Sequence, residues 1–148
     1  MKILCTICAR GGSKGLLNKN FIKLEKKNLI FHSIDQALKI KQIDNIVISS
    51  DVKISKTQLQ KRNLEQFFLR SKNLASDNAG KVGVIKDALI KSEKYYGKVF
   101  DLIIDLDVTS PLRNLRDINN CINIIKKEKT NNLFTVCKAR KNPYFNMI

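Results

Sequence analysis

The 148-residue sequence has no tryptophan, only two prolines and six glycines, a single histidine, four cysteines, and 13 acidic residues against 28 basic ones. Scarce proline and glycine, beside 43% hydrophobic residues, exclude a collagen-like, low-complexity or disordered chain, because there is enough Ile, Leu, Val and Phe to offset chain entropy. The length bounds it to one domain with a single core. No apolar run approaches the ~20 residues of a membrane-spanning helix, the longest being strand-sized pieces such as Ile46 to Ile48 and Leu102 to Ile104. Met1 to Cys5 enters a strand pattern without a signal region, so a cytoplasmic location with no membrane partner is expected. Cys5 and Cys8 have zinc-knuckle spacing, yet on a strand residues three apart point to opposite faces. No second pair completes a tetrahedral site, since Cys121 and Cys137 stand alone and His32 is the one histidine. Buried, reduced thiols and a structural or exposed His32 are the expectation.

The net charge is +15, which invites a nucleic-acid reading. The surplus is almost all lysine, however, 22 against 6 arginines, and it is spread along the chain rather than massed in one block. A dispersed lysine surface is the simpler reading, and nucleic acid is not expected as the main partner.

Strand and helix patterns alternate. Ile3 to Ala9 is a short apolar run ending in the loop Arg10-Gly11-Gly12-Ser13-Lys14-Gly15. Ile30, Ile34, Ala37 and Leu38 recur at helical spacing before the β-branched run Ile46 to Ile48. A weaker amphipathic segment, Ile54 to Leu64, precedes Gln66 to Leu69. Val82, Ile85, Ala88 and Leu89 then form a helical stripe, Asp101 to Leu106 a strand, Ile118, Cys121, Ile122 and Ile125 another stripe, and Leu133 to Val136 a last strand pattern. The implied fold is α/β, a mainly parallel sheet with helices on both faces. In such sheets ligands bind beyond the carboxyl ends of the strands, where the polar clusters of this sequence fall.

The first cluster, Arg10 to Asn20, combines three glycines with Arg10, Lys14 and Lys19. Glycines let successive backbone N–H groups turn toward an anion that the cations neutralise, which suits a di- or triphosphate; a plain tight turn is the competing reading. The loop is neither a Walker A motif nor a dinucleotide G-x-G-x-x-G. The second cluster is Asp105 to Arg113. Asp105 and Asp107 share a strand face, where they are candidates to hold Mg²⁺ or a sugar hydroxyl. Alternatively, Thr109 or Ser110 caps a turn before Pro111, and Asp105 pairs with a nearby lysine.

Together, Ile7-Cys8-Ala9-Arg10-Gly11-Gly12-Ser13-Lys14-Gly15 with Asn18-Lys19-Asn20, then Leu74-Ala75-Ser76-Asp77, then Thr109-Ser110-Pro111-Leu112-Arg113, resemble in order and spacing the acylneuraminate cytidylyltransferases, the CMP-sialic acid synthetases. Asn142 to Met147 also resembles a segment of part of that family. The resemblance implies a Rossmann-like nucleotidyltransferase that joins CTP to a nonulosonic, nine-carbon sugar acid with Mg²⁺, releasing pyrophosphate. It implies that Arg10 and Lys19 contact the triphosphate, with Ser13 and Lys14 in the same loop, and that Asn20 and the Ala9 backbone hold the nucleotide. Arg70, Ala75, Ser76, Asp77 and Ala79 would complete the cytidine pocket, with Asp107, Thr109 and Ser110 at its other side.

Leu17 stands where a proline is common, and Asp107 where well-known members carry a substrate-binding Gln. Family members continue well beyond Phe145. Residues 1–148 are therefore expected to form a nucleotidyltransferase domain lacking its C-terminal portion, keeping the nucleotide half-site, with little transferase activity alone. A homodimer is expected for a full-length relative. Two other readings compete: a related enzyme acting on Kdo or another sugar acid, separable by an acceptor panel, and a non-catalytic basic module, which predicts steeply salt-dependent binding without nucleotide preference.

Overall fold

The computed structural model describes residues 1–137, and the Asn142 to Met147 segment lies outside them. Its elements in chain order are β1 (Ile3–Cys8), the small antiparallel hairpin of β2 (Lys23–Leu24) and β3 (Lys27–Asn28), α1 (Leu29–Leu38), β4 (Asn45–Ser49), α2 (Lys56–Gln60), α3 (Lys72–Ala75), α4 (Lys81–Tyr96), β5 (Leu102–Asp105) and α5 (Leu115–Glu128). The chain divides into a unit spanning Met1–Leu115 and a second beginning at Arg116.

The main sheet has the order β4-β1-β5, all parallel. The uninterrupted apolar run of β1 follows from its central place: covered on both faces, Ile3, Leu4, Cys5, Thr6 and Ile7 are all fully buried. Cys5 pairs with Ile46 on one side and Ile104 on the other. The crossover through α1 steps from β1 to β4, and the crossover through α4 steps back across β1 to β5. Parallel crossovers are right-handed as a rule, which puts the two helices on opposite faces.

On α1, Ile30, Ile34 and Ala37 are buried, and each buried isoleucine contributes about 1.5–3 kcal/mol, whereas Leu38 at the helix end is 44% exposed. On the other face Leu4 and Val47 pack with Ala88 of α4 and with Phe100, flanked by Phe67, Phe68, Leu89 and Tyr96. α4 ends at Gly97, whose φ of 62° is the left-handed conformation that closes a helix.

Two details depart from the sequence pattern. The buried ridge of α4 is Val84, Ala88 and Ser92, four residues apart, and Val82 is 80% exposed. Ser92 is tolerated inside because its hydroxyl donates to the Ala88 carbonyl at 2.7 Å. Leu133 to Val136 forms no strand: Phe134 and Val136 are exposed, and a lone apolar run without a ladder partner leaves its backbone groups to water. In the second unit, α5 buries Ile118 and Ile122 of its apolar stripe. Among the described residues no helix is long and apolar enough to cross a membrane.

Candidate nucleotide site

The ladder continues past β1, with the Ala9 N–H donating to the Ser49 carbonyl at 2.9 Å, so the chain leaves the sheet with Arg10 at its carboxyl edge. The loop that follows is pinned at three points. Gly11 N–H donates to Asp51 Oδ1 at 3.0 Å, Ser13 N–H to the Gly11 carbonyl at 2.9 Å, and Asn20 Nδ2 to the Arg10 carbonyl at 2.9 Å. Asn18 in the left-handed region turns the chain into the short 3₁₀ segment Lys19–Phe21, which presents Lys19 and buries Asn20.

Arg10 Nη1 and Lys14 Nζ grip the two oxygens of Asp77, at 2.8 and 2.6 Å. Hydrogen bonds from Lys14 and Arg10 hold the Asp77 carboxyl below its usual range. Arg70, 7% exposed, donates from Nε to Ser49 Oγ at 3.0 Å and from Nη2 to the Ser49 carbonyl, and its backbone N–H reaches the Ser50 carbonyl at 2.8 Å. Burial draws its pKa down, partly opposed by Cys8 and Asp51, but a guanidinium stays cationic regardless.

Across the cavity, Lys81 opens α4 and bridges two carboxylates, Asp105 Oδ2 at 2.7 Å and Asp107 Oδ1. Burial works against its ammonium, yet the bonds to Asp105 and Asp107 prevail and raise its pKa. Asp105 Oδ1 also accepts from the Thr6 hydroxyl at 2.9 Å. The Asp107 carbonyl accepts from Ser33 Oγ at 3.2 Å and from Arg113 Nη2, and Gln36 Nε2 clamps the Pro111 carbonyl at 2.7 Å. The polar face of α1 thus fixes the loop after β5.

These elements enclose a cavity of about 410 Å³, within the range of small-molecule sites. Arg10, Ser13, Lys14, Lys19, Asn20, Arg70, Ser76, Asp77, Ala79, Asp107 and Thr109 of the residues expected from sequence line it together. Ala9, Ala75 and Ser110 do not: Ala9 is fully buried with its N–H spent on the sheet, leaving only its carbonyl for a ligand, and Ala75 ends α3. Asp105 stands behind the lining and acts on it through Lys81. A larger space of about 1070 Å³ beside β4 contains none of the candidate site residues read from sequence. The smaller cavity is the better candidate because five cations meet there against two carboxylates, which fits a polyanion.

Lys81 was not legible as a site residue. One signal pointed to it: a lysine in the first turn of a helix opposes the macrodipole, and such local inconsistencies mark compensating partners.

A family model described as Cytidylyltransferase matches residues 4–145. The chain belongs to the cytidylyltransferase family. This cytidylyltransferase-family chain is 48% identical over 148 residues to a "Post-translational flagellin modification protein B" of Campylobacter coli, covering 99% of the chain and 63% of the relative. It is 44% identical over 147 residues to a "CMP-N,N'-diacetyllegionaminic acid synthase" of Campylobacter jejuni, covering 99% and 63%. The chain thus spans about two-thirds or less of the length of these relatives. Among solved structures, a CMP:2-keto-3-deoxy-manno-octonic acid synthetase complexed with CTP superposes with a TM-score of 0.66 at 19% identity, over 87% of this chain and 49% of that one, which establishes the shared α/β fold.

The Mg²⁺ implied by the resemblance has no ready-made site in these residues. Asp105 and Asp107 are both bound to the Lys81 ammonium, and among the described residues no group of three His, Cys, Asp or Glu side chains is placed to hold a metal.

Proposed function

We propose that the cavity binds the triphosphate of CTP and that the protein transfers CMP to a nonulosonic, nine-carbon sugar acid with release of pyrophosphate. The observation that carries this reading is the convergence of Arg10, Lys14, Lys19, Arg70 and Lys81 on one cavity at the carboxyl ends of β1 and β5, in a chain of this family. The acceptor class is supported by the name of the Campylobacter jejuni relative.

The anomeric hydroxyl of the acid attacks the α-phosphorus in line and pyrophosphate leaves from the opposite side. Little covalent work falls to the protein, which must position the reactants and neutralise charge. Arg10 and Lys19 bear on the triphosphate as the catalytic cations. Lys14 assists them from the same loop, and Asp77 keeps Arg10 and Lys14 extended over the cavity until phosphate oxygens replace its carboxylate. Asn20, its amide nitrogen engaged by Arg10, offers its oxygen to the ribose. Arg70, with Ala75, Ser76 and Ala79, flanks the base, and Thr109 and Ser110 border the acceptor side with Asp107.

Amide chemical-shift mapping tests this reading. CTP should shift the amides of 10–20, 76–81 and 105–110, whereas ATP should leave them nearly unmoved; equal shifts with every nucleotide would reduce the site to a general anion trap. In an acceptor panel on a full-length form, pyrophosphate release supported by a nine-carbon acid and not by Kdo is the expected pattern. Release with Kdo alone would transfer the reading to that acceptor.

A further inference from the structure

Asp107 is the anomaly of a cavity otherwise built for an anion, and it is held at both ends. Its carbonyl is fixed by Ser33 and Arg113, and its carboxylate by Lys81. The same ammonium holds Asp105, whose other oxygen is anchored by the fully buried Thr6 hydroxyl. Lys81 occupies the first position of α4, preceded by Gly80, which supplies no side-chain cap. A cation there is disfavoured by the helix dipole, and the two carboxylates are what compensate it. Without Lys81, two like charges, Asp105 at the end of β5 and Asp107 in the loop just after it, would confront each other and the incoming nucleotide.

We propose that Lys81 is a positioning residue acting as a resident cation: its ammonium fills the place between Asp105 and Asp107 that a divalent ion would otherwise take, fixes the Asp107 carboxylate, and cancels its repulsion toward a triphosphate. The inference rests on the reading of the cavity as a CTP site and adds a charge-compensating device to it. It also accounts for an aspartate where the resemblance would place a neutral amide, since Asp107 and Lys81 enter the site as a pair.

Two measurements on the full chain test it. The first is calorimetric titration with CTP in EDTA. Lys81→Met should weaken CTP on the order of tenfold, from two uncompensated carboxylates in a partly desolvated cavity, and the triple variant K81M/D105N/D107N should return close to the wild-type affinity. The second is Mn²⁺ alone, followed by electron paramagnetic resonance. K81M should bind Mn²⁺ at least about tenfold more tightly than the wild type, because removing the lysine vacates the carboxylate pair. Unchanged CTP affinity in K81M, a triple variant as weak as K81M, or equal Mn²⁺ binding in wild type and K81M would each overturn the assignment. A wild type that does not bind CTP would instead defeat the nucleotide reading, and the Mn²⁺ comparison would still decide the role of Lys81.

Discussion

Gly11 sits where the loop after β1 passes beside the segment after β4, and a methyl group added there would lie 2.5 Å from Val52 Cγ2 and 3.8 Å from Asp51 Oδ2. Carbon atoms pack comfortably at about 3.5–4.0 Å, so roughly 1 Å of movement is required. Val52 is β-branched and stiff at χ1, and the Gly11 N–H is tied to Asp51 at 3.0 Å, so neither side yields easily. Gly11→Ala should therefore push the loop away from Val52, carrying Arg10 and Ser13 with it, at a cost of about 1–3 kcal/mol in stability. Gly12→Ala is the control: nothing lies within 4 Å of its added methyl, and its effect should stay within about 0.5 kcal/mol. Val52→Ala removes the offending methyl and leaves Val52 Cβ 4.0 Å from the new one, an ordinary contact. The double variant G11A/V52A should then be more stable than the sum of the single losses predicts, with a coupling of about 1–2 kcal/mol. Urea unfolding of the wild type and the four variants, with CTP titration of each, measures this. A G11A protein as stable as wild type, or one that Val52→Ala does not rescue, would refute the packing argument and with it the loop position from which Arg10 is placed.

Further outcomes follow from the same geometry. Arg10→Ala and Lys19→Ala should each weaken CTP by about 10- to 100-fold, the worth of one charge-assisted contact, in calorimetric titration; an unchanged affinity in both would remove the loop from the site. Burial alone would raise the Asp35 pKa, but hydrogen bonds from Arg62 at 2.6 Å and from Lys27 outweigh it and lower the value. A carboxyl with a depressed folded pKa contributes stability that is present above its unfolded pKa and lost as pH falls through the folded one, so Asp35→Asn should flatten the decline in urea stability below about pH 4. Burial, then the Asp105 charge, pushes the Cys8 thiol up to about 12, and burial raises fully enclosed Cys5 as well. A thiol-exchange reagent at pH 8 should therefore label exposed Cys137 rapidly, half-buried Cys8 slowly and enclosed Cys5 only on unfolding; native labelling of Cys8 as fast as that of Cys137 would contradict its placement.

Much of the architecture was legible because its signals are local. The β-branched runs at Ile3 to Ile7 and Ile46 to Ile48 are buried on both faces, which requires uninterrupted apolar sequence, and the loops after β1 and β5 carry their own cations and carboxylates. On α4 the apolar stripe of the sequence meets the core at Ala88 and Leu89, while Val82 is exposed and the packing of Ala88 against Leu4 and Val47 brings Val84 and Ser92 inside, because apolar residues surround that helix. Leu133 to Val136 has strand composition, but a strand exists only through its ladder, a non-local fact. The bridge from Lys81 to Asp105 and Asp107 joins residues 26 or fewer positions apart through tertiary structure alone. Sequence reasoning reached only the general alternative that Asp105 pairs with some lysine. Asp77 followed the opposite course: it was legible through its motif, while its grip on both Arg10 and Lys14 emerged only in three dimensions.

Calorimetric titration of the chain with CTP, against ATP at matched and varied salt, decides whether the cavity at the ends of β1 and β5 is a CTP site. Saturable one-to-one binding of CTP, selective over ATP, about 10- to 100-fold weaker in R10A and only mildly salt-dependent, is the result predicted. Equal binding of CTP and ATP that collapses with added salt would contradict it and leave a cationic surface without nucleotide recognition.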